Sequence, residues 1–185
     1  MNMETGLERK FARLEGAALS VSEAGRIEGY ASLFEIPDQG GDVVVKGAYA
    51  ASLTRLAAEG RRVKMLWQHD PAQPIGIWEE VREDARGLYV KGRLLDTVSR
   101  AREAAALIAA GAIDGLSIGY RTLRAVKSDK GHRLLQELEL WEVSLVTFPM
   151  LPSARVAAKG DRPEAETMRE LAAVFDAARR EMARM

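Results

Sequence analysis

A serine hydroxyl is a poor nucleophile at cellular pH unless a base takes its proton, and an imidazole is the side chain suited to that task. Ser117 stands between two glycines in Gly115-Leu116-Ser117-Ile118-Gly119-Tyr120, and the chain has two histidines to serve it. His69 ends the apolar run Leu66-Trp67-Gln68-His69-Asp70, whereas His132 lies in the polar stretch Lys127-Ser128-Asp129-Lys130-Gly131-His132. A catalytic imidazole needs a third group on its other ring nitrogen to fix the tautomer and stabilise the imidazolium. Glu142, within Leu138-Glu139-Leu140-Trp141-Glu142-Val143-Ser144-Leu145-Val146, is the first candidate, because a carboxylate inside an apolar strand must have a partner. That partner could instead be an arginine, Arg121 or Arg124, on a neighbouring strand; Asp70, Asp114 and His132 are further candidates for the third role. The expected chemistry is hydrolysis, with Ser117 as nucleophile, His69 as base and Glu142 behind it.

Gly115 to Gly119 matches the G-x-S-x-G nucleophile elbow letter for letter, but the elbow needs a strand before the serine and a helix after it. The order here is reversed: helical spacing precedes Ser117, and Tyr120-Arg121-Thr122-Leu123-Arg124 continues as strand. On a strand, two-residue alternation places Gly115, Ser117, Gly119 and Arg121 on one face and Leu116, Ile118 and Tyr120 on the other. The apolar set would enter the core, and the glycines would leave room for a substrate backbone beside the hydroxyl. The bland alternatives are a strand bulge at Ser117, and a strand-end histidine capped by Asp70 ahead of a turn through Pro71-Ala72-Gln73-Pro74. A metal site is disfavoured, because the other ligand type close to His69 in sequence is Asp70 alone.

These residues must be positioned by a mainly β body. Runs rich in β-branched and aromatic residues recur between Gly, Pro and Asp punctuation, predicting strands over Phe11 to Leu14, Arg26 to Phe34, Val63 to Gln68, Ile75 to Arg82, Leu88 to Leu94, Leu116 to Val126 and Leu134 to Val146. Helical spacing appears over Gly47 to Ala58 and over Thr97 to Ala110, the second ended by Gly111. Hairpin turns are expected at Glu83-Asp84-Ala85-Arg86-Gly87 and Ser128-Asp129-Lys130-Gly131. The fold class is therefore α+β, mainly β: a small antiparallel barrel wrapped by helices. Residues 1–9 read as an N-terminal extension, 10–158 as the domain and 159–185 as a helical tail. In that tail, Pro163 opens an amphipathic helix with Leu171, Val174, Phe175 and Ala178 on one face, to be docked on the barrel, bound to a partner, or removed.

Composition narrows the function classes. The chain of 185 residues is 47% apolar, enough for one globular core. Lys plus Arg and Asp plus Glu are each 27, so net charge favours neither nucleic acid nor an anionic membrane as partner, and it offers little resistance to self-association. With no cysteine there is no disulfide, thiolate metal site or cysteine nucleophile. No apolar run approaches the roughly 20 residues needed to span a bilayer, and no signal-peptide pattern opens the sequence, so it reads as soluble and cytoplasmic. No cofactor is expected.

The ordered set of motifs resembles the tailed-phage prohead protease family, capsid-maturation serine peptidases related in fold to herpesvirus assemblin. The matching segments are Ile27-Glu28-Gly29-Tyr30-Ala31-Ser32-Leu33-Phe34, Gly41-Asp42-Val43-Val44-Val45-Lys46-Gly47-Ala48-Tyr49, Leu66 to Asp70 followed by Pro74-Ile75-Gly76, Gly115 to Tyr120, and Trp141-Glu142-Val143-Ser144-Leu145-Val146-Thr147-Phe148-Pro149. The resemblance implies a serine endopeptidase that cleaves capsid scaffold segments, and itself, inside an assembling procapsid. It carries the base to His69 and the nucleophile to Ser117. Assemblin-like enzymes of herpesviruses use a second histidine where the matching strand here offers Glu142. The implied partners are the major capsid protein or its scaffold segment and further copies of the chain, with Arg155 a candidate oxyanion donor. The rival readings are a non-enzymatic procapsid scaffold that retains the fold, and an esterase-like hydrolase of small substrates.

Overall fold

The computed structural model describes residues 8–11, 20–21, 25–38, 40–129 and 131–147. Among the described residues nine strands form one curled sheet: β1 (Glu8–Phe11), β2 (Ser20–Val21), β3 (Arg26–Leu33), β4 (Asp42–Val44), β5 (Lys64–Trp67), β6 (Asp70–Glu83), β7 (Gly87–Leu94), β8 (Gly115–Lys127) and β9 (Arg133–Val146). Two helices join them among the described residues, α1 (Ala50–Ala58) and α2 (Ser99–Ala109). The order across the sheet is β1-β8-β9-β5-β6-β7-β3-β2, with β4 also on β9. The mainly β expectation is met, and the two expected helices are present. The sheet is a half-barrel, however, and it is mixed: β4 and β5 both run parallel to β9.

That mixed pairing follows from a crossover. β4 and β5 line the same edge of β9, and α1 connects them, so both must point the same way. The helix is stitched to the gap between them, where Leu138 N–H donates to Ala48 C=O at 2.9 Å and Leu140 N–H donates to Ser52 Oγ at 2.9 Å. Strand periodicity reports that a segment is extended, not which strand it joins, so β4 and its parallel register went unforeseen. Gly111, at φ 72°, ends the second helix as expected.

The concave side holds the core. Ile27, Val90, Ile75, Met65, Leu138, Val143, Ile118 and Tyr120 are all buried there, and Trp78 closes it with its Nε1–H donating to Val143 C=O at 3.2 Å. Leu116, Ile118 and Tyr120 alternate inward as predicted, which sends Ser117 and Gly119 to the other face. Asp84 closes the β6–β7 hairpin by accepting from Arg86 N–H at 2.8 Å, and Ser128 closes the β8–β9 hairpin by accepting from His132 N–H at 3.1 Å. Among the described residues no helix is long and apolar enough to cross a membrane.

Candidate active site

Three neighbouring strands carry the site. β8 and β9 are antiparallel, with Ser117 opposite Ser144 and Gly119 opposite Glu142. On the other side of β9, β5 sets Leu66 beside Ser144 and Lys64 beside Glu142. Residues directly across a ladder share a face, so Ser117, Ser144 and Glu142 project together, away from Ile118, Val143 and Leu145. Neighbouring strands lie about 4.8 Å apart, which makes Ser117 an immediate neighbour of Ser144.

His69 arrives on a turn. Trp67 pairs with Asp70, leaving Gln68 and His69 as a two-residue hairpin loop, and both have positive φ, 52° and 63°. Such primed turns match the twist of a hairpin but usually employ Asn or Gly. A non-glycine residue in this region costs about 1–2 kcal/mol, so the turn needs outside support. β9 supplies it. Gln68 N–H donates to Leu145 C=O at 2.9 Å, the Gln68 amide donates to Thr147 Oγ1 at 2.6 Å, and His69 N–H donates to Ser144 Oγ at 3.1 Å. The expected turn through Pro71 to Pro74 is therefore displaced to Gln68–His69, and both prolines lie within β6. The β5–β6 register shifts there, and at such bulges a residue without an N–H is tolerated.

The histidine ring meets the carboxylate directly. His69 Nδ1 lies 2.5 Å from Glu142 Oε1, and Ser144 Oγ–H donates to Glu142 Oε2, also at 2.5 Å. His69, Glu142 and Ser144 are 7%, 4% and 0% exposed, so the pair is held away from water with both carboxylate oxygens engaged, as a buried charge requires. Ser144 uses its hydroxyl twice, donating to the carboxylate and accepting from the His69 backbone. It thereby ties the strained turn to the acid. Sequence reasoning missed Ser144, although its two-residue spacing from Glu142 on a strand was a readable sign that the two share a face.

Gly119 has a different purpose from the one expected. A Cβ built on it would lie 2.8 Å from Glu142 Cδ and 2.9 Å from Cγ, and nearer still to Oε1. The room beside this glycine is filled by the carboxylate rather than left for a substrate backbone. Ser117 itself is fully buried, and β1 runs along β8 with Phe11 in register opposite it.

The other candidates lie elsewhere. Arg121 pairs with Glu139 at 2.6 Å and Arg124 stands opposite Glu137, so neither arginine is the partner of Glu142. Asp70 accepts from Ala72 N–H and the Gln73 amide, both at 2.8 Å, and so shapes the chain after the turn. Asp114 precedes β8. His132 sits in the β8–β9 hairpin, roughly 40 Å along the strands from Ser144 at about 3.3 Å per residue. Arg155 and the helix expected at 163–185 lie outside the described residues. No cluster of three or more His, Cys, Asp or Glu side chains suited to a metal occurs among the described residues.

The profile of the caudovirus prohead serine protease family matches residues 13–170. The chain belongs to this family. It is 32% identical over 152 residues to the prohead protease of Enterobacteria phage HK97, a stretch that covers 80% of this chain and 65% of that protein. The chain thus spans slightly under two thirds of that relative. The fold is similar to that of the bacteriophage T4 capsid assembly protease, with a TM-score of 0.61 at 18% identity, covering 77% of this chain and 98% of the other. The family's name describes serine proteases, and the shared fold persists at 18% identity.

Proposed function

We propose that this prohead protease family member is a serine endopeptidase that cleaves scaffold segments of capsid proteins, and its own chain, during procapsid maturation. Ser117 is the nucleophile, His69 the general base and acid, and Glu142 the group that orients the imidazole. The observation that carries this reading is the buried contact of His69 Nδ1 with Glu142, formed across β9 on the face that also bears Ser117. A ring pinned at Nδ1 turns Nε2 the other way, and a carboxylate at Nδ1 compensates the charge that the ring gains with the serine proton. The mixed, curled sheet supports an assemblin-like barrel, and capsid protein, its scaffold segment and further copies of the chain are the partners that fit.

In the reaction, Ser117 Oγ bonds to the scissile carbonyl carbon as His69 Nε2 takes the hydroxyl proton. The C–N bond then breaks as the imidazolium returns that proton to the leaving amine, and water repeats the sequence on the acyl-enzyme. Ser144 is a positioning residue: it touches the acid and the histidine backbone, not the substrate.

Co-expression with the capsid protein of the same genome tests the proposal by intact mass. Wild type should remove a defined capsid fragment, and Ser117→Ala and His69→Ala should not. Unchanged capsid mass in all three, with normal assembly, would overturn it in favour of a scaffold that keeps the fold.

A further inference from the structure

The outward face of β8, β9 and β5 continues past Glu142 into a strongly basic recess. Arg121 stands opposite Glu139 across β8 and β9, and Lys64 stands beside Glu142 across β9 and β5, so both cations share the face of the candidate acid. Arg55 from α1 and Arg61 and Arg62 from the α1–β5 connection complete a cavity of about 320 Å³. Among the described residues Glu139 is its single acidic lining residue, already shared by Arg55 at 3.1 Å and Arg121 at 2.6 Å. Arg61 is paired with Glu59 at 3.0 Å. Arg62 and Lys64 are exposed and make no ion pair among the described residues. Trp141, 44% exposed at a β-bulge between Leu140 and Glu142, adds an aromatic wall.

On a chain whose total charge is zero, such a recess is a local concentration of positive charge beside the catalytic strands rather than a reflection of a basic protein. We propose that it is a docking site for an acidic stretch of the polypeptide substrate, adjoining the site formed by His69, Glu142 and Ser117. The inference rests on the protease reading for its substrate, and it adds the chemistry by which that substrate is chosen. Carboxylates fit bidentate pairing with Arg62 and point-charge pairing with Lys64, and the flat apolar Trp141 accommodates the intervening side chains. A confined recess with a carboxylate in its floor suits separate acidic side chains better than the continuous charge of a nucleic-acid backbone.

The test uses the full-length chain carrying Ser117→Ala, with and without Arg62→Glu and Lys64→Glu together. A short fluorescein-labelled peptide with glutamate at alternate positions, its lysine counterpart, and a single-stranded oligonucleotide of equal charge are titrated by anisotropy. The expected result is selective binding of the glutamate peptide, weakened by salt and reduced roughly tenfold or more by the double reversal. Circular dichroism of the doubly reversed protein, whose changed residues are both exposed, should match the parent. Equal binding of both peptides, binding that survives the reversal, or tighter binding of the oligonucleotide would each overturn the proposal. Because binding is read without cleavage, an inactive wild type in the capsid assay would count against the protease reading and leave this measurement to stand separately.

Discussion

Replacing Gly119 by alanine adds one methyl group directly beside the candidate acid. The new Cβ would stand 2.8 Å from Glu142 Cδ and 2.9 Å from Cγ, where ordinary van der Waals contact begins near 3.4 Å. The carboxylate must therefore withdraw by about 0.5 Å at its carbons and by roughly 1 Å at Oε1, where the crowding is worst. It cannot withdraw freely, because Oε1 is held to His69 and Oε2 to Ser144, both at 2.5 Å. A misplacement of about 1 Å in a catalytic constellation costs on the order of 10²-fold, equivalent to about 2.7 kcal/mol of transition-state stabilisation. Backbone strain does not contribute, since Gly119 does not occupy the left-handed region. The assay is a double-mutant cycle on kcat/KM for a capsid-derived peptide: Gly119→Ala in wild type and again with Glu142→Ala, which removes the group being struck. A fall of about 10²-fold in the first background and little change in the second is expected. Full activity in Gly119→Ala, or an equal loss in both backgrounds, would refute the claim that this glycine exists to seat the carboxylate.

Glu142→Gln keeps the shape but leaves no charge behind the imidazole, and it should lower kcat by about 10³–10⁴-fold while the protein stays folded, as checked by burst kinetics and circular dichroism. Ser144→Ala should destabilise the fold by about 1–3 kcal/mol in thermal or urea unfolding, because it strands the His69 N–H and one carboxylate oxygen in a buried setting. On the proposed roles, the same change should lower kcat more than it raises KM, because Ser144 hydrogen-bonds the candidate acid. Specific activity should rise with protein concentration if self-association completes the enzyme; a flat dilution series would exclude that.

The candidate residues were legible in the sequence because residue type constrains the available chemistry tightly. Only an imidazole could serve Ser117 as a near-neutral base, and a carboxylate within the apolar run at Glu142 had to be paired. Alternation also placed Leu116, Ile118 and Tyr120 in the core, and Gly111 marked the end of the second helix. Those are local signals, set by the two-residue repeat of a strand and by the freedom of glycine.

What the tertiary structure decided is which of these residues meet. Strand registry is a property of pairs, so the sequence left Arg121, Arg124 and His69 as competing partners for Glu142, and only the parallel docking of β5 on β9 selected the histidine. The left-handed turn at Gln68–His69 is equally non-local, because its strain is offset by Leu145, Thr147 and Ser144 from a segment more than seventy residues further along the chain. The sequence by itself determined the candidate residues and their strand faces. The fold determined their contacts, because hydrogen bonds across a sheet depend on register between distant segments, and no local pattern records that register.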